Sequence, residues 1–394
     1  MPWQQTDTMD LRVQMVGEHL SGGYGAAQLA RRYGVSRKTI YKWVERYQLE
    51  GAEGLEERSR APHHQARAVD GAVVERLLQL KAQWPLWGAP KLLARLEREI
   101  GAQHCPAEST VSEILKRHGM SFARKARRRA TPSTQPLAHA HGPNAVWCID
   151  YKGWFRTQDG AKCVPLTLSD ACSRYLLRCQ GLDQGTGTGA ALVRPILISA
   201  FREHGMPEAM RSDNGPPFAS GALGGLSKLN VWWLRLGIRL ERIEPGCPQQ
   251  NGRHERFHRT LKENTCAPPA RSVRAQQQRF DEFRFHYNEE RPHEALGQTP
   301  PAQHYQPSLR QYPERLPEPR EYPCDWQTRS VRPGGRMKWQ GRSVNITTAL
   351  EGERIGLEPV GDGCWAVWFQ DLELGIFEER KMKVRRHPQI KARG

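Results

Sequence analysis

Two stretches without apolar periodicity divide this chain and are predicted to be linkers between domains. Residues 124–143 begin with "RKARRR" and continue rich in Pro, Ser and Thr, and residues 306–325 are rich in Pro. Segments of this composition usually serve as linkers, and a chain of 394 residues is long enough for two to four domains. The sequence therefore predicts a multidomain protein with separate folded parts on either side of each linker.

Residues 1–60 carry the pattern of a helix-turn-helix DNA-binding domain. "AAQLARRYGVSRKTIYKWVERYQLEG" places a short apolar helix before Gly34, and Ser36 is a good N-cap for the helix that follows. Ile40 and Val44 point inward, which leaves a basic side for DNA. The residues expected to contact DNA are Arg37, Lys38, Thr39, Tyr41 and Lys42. The alternative is an ordinary helical hairpin with a solvated basic side.

Residues 61–123 form a second predicted helical domain. "VVERLLQLKAQWPLWGAPKLLARLEREIG" is followed by "CPAESTVSEILKRHGM", in which Ser109 precedes another apolar-periodic helix. The segment resembles a second helix-turn-helix, but its last helix is less basic than the first, so a purely architectural role is an equal alternative. The cations that open the following linker are expected to lie along DNA phosphates; they are Arg124, Lys125, Arg127, Arg128 and Arg129.

The pattern changes to a mixed α/β one between residues 144 and 305. "AVWCIDYKGWF", "KCVPLTLSDAC" and "SRYLLRCQGL" look like three successive strands, and a helix, a strand at "EAMRS", a strand at "IRLERIEP" and two helices follow. This order predicts a mixed sheet flanked by helices. Residues 326–394 return to short strands punctuated by glycines, which indicates a small C-terminal β-barrel.

Charge and cysteine content narrow the classes of function. With 59 Lys+Arg against 42 Asp+Glu the net charge is +17, which favours a polyanionic partner such as nucleic acid. No apolar run approaches the roughly 18 residues of a membrane-spanning helix, and the N-terminus shows no secretory signal pattern. The nine cysteines are irregularly spaced without a C-x-x-C pair, so we expect reduced thiols in a cytoplasmic protein.

Three acidic residues are candidates for a metal site. Asp150 closes the strand "AVWCID", Asp213 follows the strand "AMRS", and Glu255 lies in the first turns of a helix rich in cations. Each has an ordinary interpretation as well: Asp150 as an edge-strand carboxylate, Asp213 as a turn residue before Asn-Gly, and Glu255 as the partner of Arg259. Three carboxylates from separate segments are, however, what two hard divalent ions need. Asp170, at the end of the second long strand, is a rival ligand.

The blocks that contain these residues resemble a known family. "WCIDYKGWF", "RSDNGPPF" and "PGCPQQNGRHERFHRTLKE" are similar to the three catalytic blocks of the integrase-core transposases of bacterial insertion sequences, relatives of the retroviral integrases. The resemblance covers about residues 137–300 and implies an RNase H-like core with a DDE triad, here Asp150, Asp213 and Glu255. The gap between Asp213 and Glu255 is a few residues longer than usual, and we place the extra length in a Gly-rich loop, "ASGALGGLSKLNVW".

The resemblance implies a function and its requirements. It implies a nucleoid-associated transposase that binds the terminal inverted repeats of its element, hydrolyses the 3′ ends and transfers them into target DNA. Two Mg²⁺ or Mn²⁺ ions would be held by the triad, Asn251, Arg259 and Lys262 would contact DNA, and at least a dimer would join two DNA ends. The alternatives are a catalytically silent DNA-binding regulator and a nuclease that cuts without joining.

Overall fold

The computed structural model describes residues 7–58, 69–121, 139–185, 187–242 and 252–386. The chain forms two compact units, Met1–Val69 and Asp70–Gly394. Within the described ranges, no helix is both long enough and apolar enough to cross a bilayer. The cations predicted to lie along phosphates at the start of the first linker, residues 124–129, fall outside the described residues, as does Asn251.

The N-terminal unit contains three helices, α1 (Thr8–Leu20), α2 (Ala26–Arg32) and α3 (Arg37–Glu50). Gly34 has a φ of +67°, which the short connection between α2 and α3 requires. The predicted cap is confirmed, since the Ser36 hydroxyl accepts the Thr39 N–H at 3.2 Å. The apolar sides of the helices meet in a small core formed by Met15, Val16, Ala26, Leu29, Ile40, Trp43, Val44 and Leu55.

The basic side of α3 is directed to solvent, as the sequence predicts. Arg37, Lys38, Tyr41 and Lys42 are exposed, whereas Thr39 is half-buried. The Thr39 hydroxyl lies 2.9 Å from the Ser36 hydroxyl and is therefore engaged at the helix start. The exposed cations are consistent with a recognition helix, and Thr39 has a capping role besides.

The second unit begins with α4 (Gly71–Gln83), α5 (Ala89–Ile100) and α6 (Glu108–Arg117). These helices pack on residues 286–292, which follow the last helix of the α/β core described below. The ring of Trp84 lies 5.0 Å from that of His286, the Lys91 ammonium donates to the Pro292 carbonyl, and Arg95 pairs with Glu290. The helical segment is thus attached to the α/β core by polar and aromatic contacts.

The α/β core is a six-stranded mixed sheet with helices on both faces. Its strands are β1 (Val146–Tyr151), β2 (Phe155–Arg156), β3 (Lys162–Asp170), β4 (Leu176–Asp183), β5 (Ala209–Ser212) and β6 (Arg239–Arg242). Its helices are α7 (Ala190–His204), α8 (Lys228–Arg235), α9 (Gly252–Leu261) and α10 (Val273–Phe285). β1 pairs antiparallel with β3 and parallel with β5, while β4 extends the sheet beyond β3 and β6 beyond β5. This agrees with the predicted mixed sheet.

Successive side chains of the central strands point to opposite faces of the sheet, and each face is covered by an apolar layer. Trp147 and Ile149 of β1 and Met210 of β5 pack with α7 and α8, whose buried side chains include Phe201 and Trp233. Phe280 and Leu261 cover the other face with Cys163 and Cys179 of the sheet. Three polar residues, Asp150 of β1, Thr167 of β3 and Arg211 of β5, lie on the side of the sheet that faces α9.

The Gly-rich segment between β5 and β6 is not the plain loop that we expected from the sequence. Its second half is α8, whose start is capped by Ser227. The Ser227 hydroxyl accepts the Asn230 N–H at 3.3 Å, and the side-chain Oδ1 of Asn230 accepts the Ser227 N–H at 3.0 Å. The glycines precede the helix, so they obscured a well-capped apolar stretch, "KLNVWWLR".

The predicted Pro-rich linker is fixed to the core by hydrogen bonds. Ser308 N–H donates to the His204 carbonyl and Met206 N–H to the Arg310 carbonyl, both at 2.7 Å. The Arg310 guanidinium donates in turn to the carbonyls of Pro207, Leu236 and Gly237. The segment therefore acts as a strap along the α7 end of the core.

The C-terminal part is an antiparallel sheet in which a closed barrel is not seen. Its strands are β7 (Gln327–Ser330), β8 (Arg336–Trp339), β9 (Arg342–Asn345), β10 (Arg354–Gly361), β11 (Cys364–Phe369), β12 (Leu372–Glu378) and β13 (Lys383–Arg386). Five of them pair in the order β13-β12-β11-β10-β7, and β8 and β9 form a separate hairpin. In the described residues the five-stranded sheet has two edges, so the predicted closure is not shown.

The C-terminal sheet shares its apolar core with the segment around α8. Leu223, Leu226 and Val231 are buried together with Phe369, Leu374 and other residues of the sheet. An ion pair between Arg235 and Glu353, 2.6 Å apart and largely buried, borders this contact. The C-terminal sheet and the α/β core are consequently one packed body.

Candidate active site

The site is built where β1 and β5 end side by side. Their parallel register pairs Val146 with Ala209 and Cys148 with Arg211. Continued by two residues, the same register sets Asp213, the first residue after β5, beside Asp150. Neighbouring strands lie about 4.8 Å apart, so two carboxylates share the carboxyl end of adjacent parallel strands, where open α/β sheets bind ligands.

Asp213 has one carboxylate oxygen that no hydrogen bond satisfies in the described part of the protein. Oδ1 is buried without a partner, while the carboxylate accepts the Gly215 N–H. Burial raises the pKa of Asp213, and the Gly215 hydrogen bond opposes the shift. A buried oxygen without a donor is costly unless a ligand completes it. Together with the Asp150 carboxylate it offers the hard oxygen ligands that Mg²⁺ or Mn²⁺ binds.

Helix α9 brings two imidazoles to Asp150. His254 and His258, four residues apart, share the side of α9 that faces the sheet, and each is only 8% exposed. One ligand atom each from Asp150, His254 and His258 lie within 4.8 Å of one another. Burial lowers the pKa of His254 to about 4, helped by Arg211, and that of His258 to about 3, helped by His254 and Lys152.

The hydroxyl of Thr167 on β3 contacts both β1 and α9. Thr167 is the cross-strand partner of Asp150, and its hydroxyl donates to the Asp150 carbonyl at 3.1 Å. The same oxygen lies 3.0 Å from His258 Nε2. Because the single hydroxyl proton is used on the carbonyl, the Thr167 oxygen accepts a hydrogen bond from His258, which places the imidazole N–H on Nε2.

Glu255 lies on the exposed side of the first turn of α9 and is not part of the group formed by Asp150 and the two histidines. Arg259 and Lys262 are also exposed, the first on α9 and the second just beyond it. The structure therefore brings the two aspartates to neighbouring strand ends and leaves Glu255 facing solvent. The triad as a metal-binding set stays a prediction.

Asp170, the rival carboxylate, has a structural role. It is 1% exposed, and its oxygens accept the N–H groups of Asn144 at 3.1 Å and Ser173 at 3.3 Å. These bonds fix the turn after β3 and the start of β1. With its lone pairs used in this way, Asp170 is a poor ligand for an ion.

The sequence did not identify the two histidines as site residues. A helix as basic as this one predicts phosphate contacts or solvent-facing positions for both histidines, and the solvent-facing alternative is wrong because both rings are buried. Their spacing of four on a helix was the available signal. A cavity of about 50 Å³ beside His254 has three arginines in its lining, Arg174, Arg211 and Arg253, of which Arg211 is paired with Glu241.

Four known families match parts of the chain. Residues 11–63 match a helix-turn-helix domain, residues 39–115 a homeodomain-like domain, residues 236–301 an integrase core domain, and residues 326–385 the C-terminal domain of the IS481 family of transposases. The integrase-core match includes α9 and α10, and therefore Glu255 and both buried histidines.

Curated relatives come from insertion elements. An uncharacterized 39.2 kDa protein of insertion element IS476 from Xanthomonas euvesicatoria is 33% identical over 46% of this chain and 49% of its own length. The chain thus spans about half the length of that relative. An uncharacterized 31.7 kDa protein of IS407 from Burkholderia multivorans is 28% identical over 58% and 78% of the two chains. The transposase InsD of IS2 from Escherichia coli is 22% identical over 72% and 92%.

Solved structures similar to this one are viral integrases. The catalytic core domain of BIV integrase, 21% identical, superposes with a TM-score of 0.32 over 41% of this chain and 93% of that one. The HTLV-2 integrase core in complex with magnesium is 14% identical, with a TM-score of 0.32 over 42% and 98%. Scores this low do not establish a common fold. In sequence, the chain is thus similar to insertion-element proteins, and separate parts of it match helix-turn-helix domains, an integrase core domain and a C-terminal transposase domain.

Proposed function

We propose that this protein hydrolyses the phosphodiester at each end of its own element and joins the freed 3′-OH to target DNA. The observation that carries the proposal is the register of β1 and β5, which sets Asp150 beside Asp213. One buried oxygen of Asp213 has no hydrogen-bond donor among the described residues. Hydrolysis and joining are the same displacement at phosphorus with different attacking oxygens, so one site serves both. A covalent intermediate on the protein is not required.

Asp150, Asp213 and Glu255 would hold two Mg²⁺ or Mn²⁺ ions. Such ions, when bound, activate the attacking oxygen and stabilise the leaving one. The protein supplies the fixed geometry: two rigid strands hold the aspartates, and α9 carries Glu255 at its first turn. Because Glu255 is exposed, it remains accessible to a substrate laid across this side of α9.

DNA would be held at two places. Arg37, Lys38, Tyr41 and Lys42 on α3 recognise the terminal inverted repeats, aided by Thr39 at the start of that helix. Asn251, Arg259 and Lys262, with the linker cations Arg124, Lys125, Arg127, Arg128 and Arg129, contact phosphates nearer the chemistry. The two ends of an element must meet before joining, so we expect at least a dimer on DNA.

A strand-transfer assay tests the proposal. Labelled duplexes that carry the element end are incubated with full-length protein and Mg²⁺ or Mn²⁺, and cut and joined products are separated. Asp150→Asn should abolish both products and leave binding to the end duplex unchanged, because the substitution keeps the shape of the side chain and removes a charged ligand. Asp159→Asn, at an exposed carboxylate in the turn between β2 and β3, is the matched control and should retain both activities.

The alternatives give different products. A nuclease would yield cut DNA without joined DNA, and a regulator would bind the duplex and yield neither. Wild-type levels of cleavage in Asp150→Asn would contradict the assignment of the site.

A further inference from the structure

The pair of histidines on α9 adds nitrogen ligands to one of the proposed catalytic carboxylates. Asp150, His254 and His258 come from two elements, and one ligand atom of each lies within 4.8 Å of the other two. Hard ions such as Mg²⁺ and Mn²⁺ select oxygen ligands, whereas imidazole suits Zn²⁺, Cu²⁺, Fe²⁺ and Ni²⁺. We propose that Asp150, His254 and His258 form a binding site for a divalent transition-metal ion that discriminates against Mg²⁺.

The state of His254 supports a ligand role. The ring is 8% exposed, yet its Nε2 has no hydrogen-bond partner among the described residues. A buried ring nitrogen normally finds a donor or an acceptor, since leaving it unsatisfied costs roughly 1–3 kcal/mol. The rings of Phe257 and His258 lie next to it, at 6.4 Å and 5.4 Å between centroids, and Arg211 lines the same cavity. A metal ion would complete the nitrogen that this packing leaves open.

His258 is oriented as metal-binding histidines usually are. Such histidines donate their second ring N–H to a fixed acceptor, which sets the tautomer. Thr167 provides that acceptor at 3.0 Å from Nε2 and is itself held by the Asp150 carbonyl. The lone pair of the neutral ring is then on Nδ1. Thr167 thus links the orientation of His258 to the strand that carries Asp150.

The geometry requires only a small closing movement. Zinc–nitrogen and zinc–oxygen distances are about 2.0–2.2 Å, so two ligands of one ion lie at most about 4.4 Å apart. The three ligand atoms lie within 4.8 Å of one another, which is close to this span. Rotation of the Asp150 carboxylate or a slight approach of α9 to the sheet closes the difference, and water completes the coordination.

Ordinary core packing is the competing explanation for these residues. Two histidines at a spacing of four on a buried helix side can simply fill space between α9 and the sheet. Packing alone predicts no affinity for metal, and it predicts that apolar residues of similar size would serve as well. Ion binding measured without DNA therefore separates the two explanations, independently of any strand transfer.

The test is Co²⁺ binding to the full-length protein followed by visible absorption. We expect one ion per chain with the intense bands of a four- or five-coordinate site, displaced by Zn²⁺ and retained in excess Mg²⁺. His254→Gln and His258→Gln should each weaken binding about 100-fold or more, since even outer partners of metal ligands are worth about 10–100-fold. His104→Gln, at an exposed histidine between α5 and α6, is the matched control and should bind Co²⁺ as the wild type does.

A second measurement avoids dependence on variants that fold poorly. X-ray absorption of the Zn²⁺-loaded wild-type protein should show imidazole scattering from two rings and a shell of oxygen. Absence of imidazole scattering, or Co²⁺ bands unchanged in both histidine variants, overturns the site. Asp213→Asn should retain the Co²⁺ spectrum while it loses strand transfer, so that a failure of the proposed catalysis is distinguished from a failure of this site.

Discussion

Some side chains of the candidate site are held in the folded protein at an energetic cost. Asp213 is the clearest case, because its Oδ1 is buried without a donor and burial opposes its ionised form. Proteins commonly accept such local costs where a ligand will bind. The carboxylate is therefore expected to weaken the free protein and to strengthen the metal-loaded one.

Asp213→Asn tests this balance by thermal unfolding. In the absence of metal the variant should be at least as stable as the wild type, with a gain below about 1 kcal/mol because the group is only half-buried and water screens it. Saturating Mg²⁺ should raise the melting temperature of the wild type, since a ligand at 100 times its Kd adds about 2.7 kcal/mol. The same Mg²⁺ should leave the variant nearly unchanged.

The control for this prediction is Asp159→Asn. Asp159 accepts hydrogen bonds from the Thr157 hydroxyl and the Ala161 N–H, so its loss should lower stability slightly and preserve the response to Mg²⁺. An equal Mg²⁺ response in Asp213→Asn would show that this carboxylate does not bind the ion.

At the scale of elements, α5 contacts the segment after α10 through a partly buried lysine. The Lys91 ammonium donates to the Pro292 carbonyl, and burial lowers the pKa of Lys91 to about 7, assisted by Arg291 and opposed by Glu294. An unfolded lysine has a pKa near 10.4. Between these values the unfolded chain binds more protons, so the stability of the second unit should rise with pH.

Lys91→Met should remove this pH dependence. From pH 7 to pH 9 the wild-type free energy of unfolding should increase by at most about 1.4 kcal/mol per pH unit from this one group. Below pH 7 both states are protonated and Lys91 adds no further slope. Thermal melts at several pH values give the measurement, with Lys116→Met on the exposed side of α6 as the control. A variant slope equal to that of the wild type would contradict the prediction.

Most elements could be predicted from local pattern, and the failures have a physical cause. β1, β3 and β4 were recognisable as apolar runs between turns, and α3 from its cap. Helix α8 was hidden because glycines precede it, and the strap at 306–325 because its hydrogen-bond partners are distant in sequence. His254 and His258 are polar residues on a basic helix, and they are buried because α9 packs against the sheet. The local sequence does not show which side of the helix the sheet covers, so their burial could not be predicted from it.

At the scale of the whole molecule, the C-terminal sheet does not have a core of its own. Leu223, Leu226 and Val231 of the α/β core are buried among the side chains of the sheet, and the strap connects the two. Each such side chain contributes about 1.5–3 kcal/mol on burial. Removal of the sheet exposes these residues and leaves the core incomplete.

Two truncations test this organisation. A protein of residues 70–394 should fold and melt in the same transition as the second unit of the full chain, because these residues form a compact unit by themselves. A protein of residues 1–320 should aggregate or melt well below the full chain. Circular dichroism and light scattering distinguish the outcomes, and a stable, monodisperse 1–320 protein would show that the sheet is dispensable for folding.

The shared core has a consequence for how such proteins diversify. An exchange of C-terminal regions between related chains would preserve folding only if the stretch from Leu223 to Arg235 were exchanged together with the sheet. About ninety residues separate these two parts in the sequence. Crossovers placed in the intervening segment would therefore yield mismatched hybrids. Paired substitutions in the two pieces are the signature to look for when many relatives are compared.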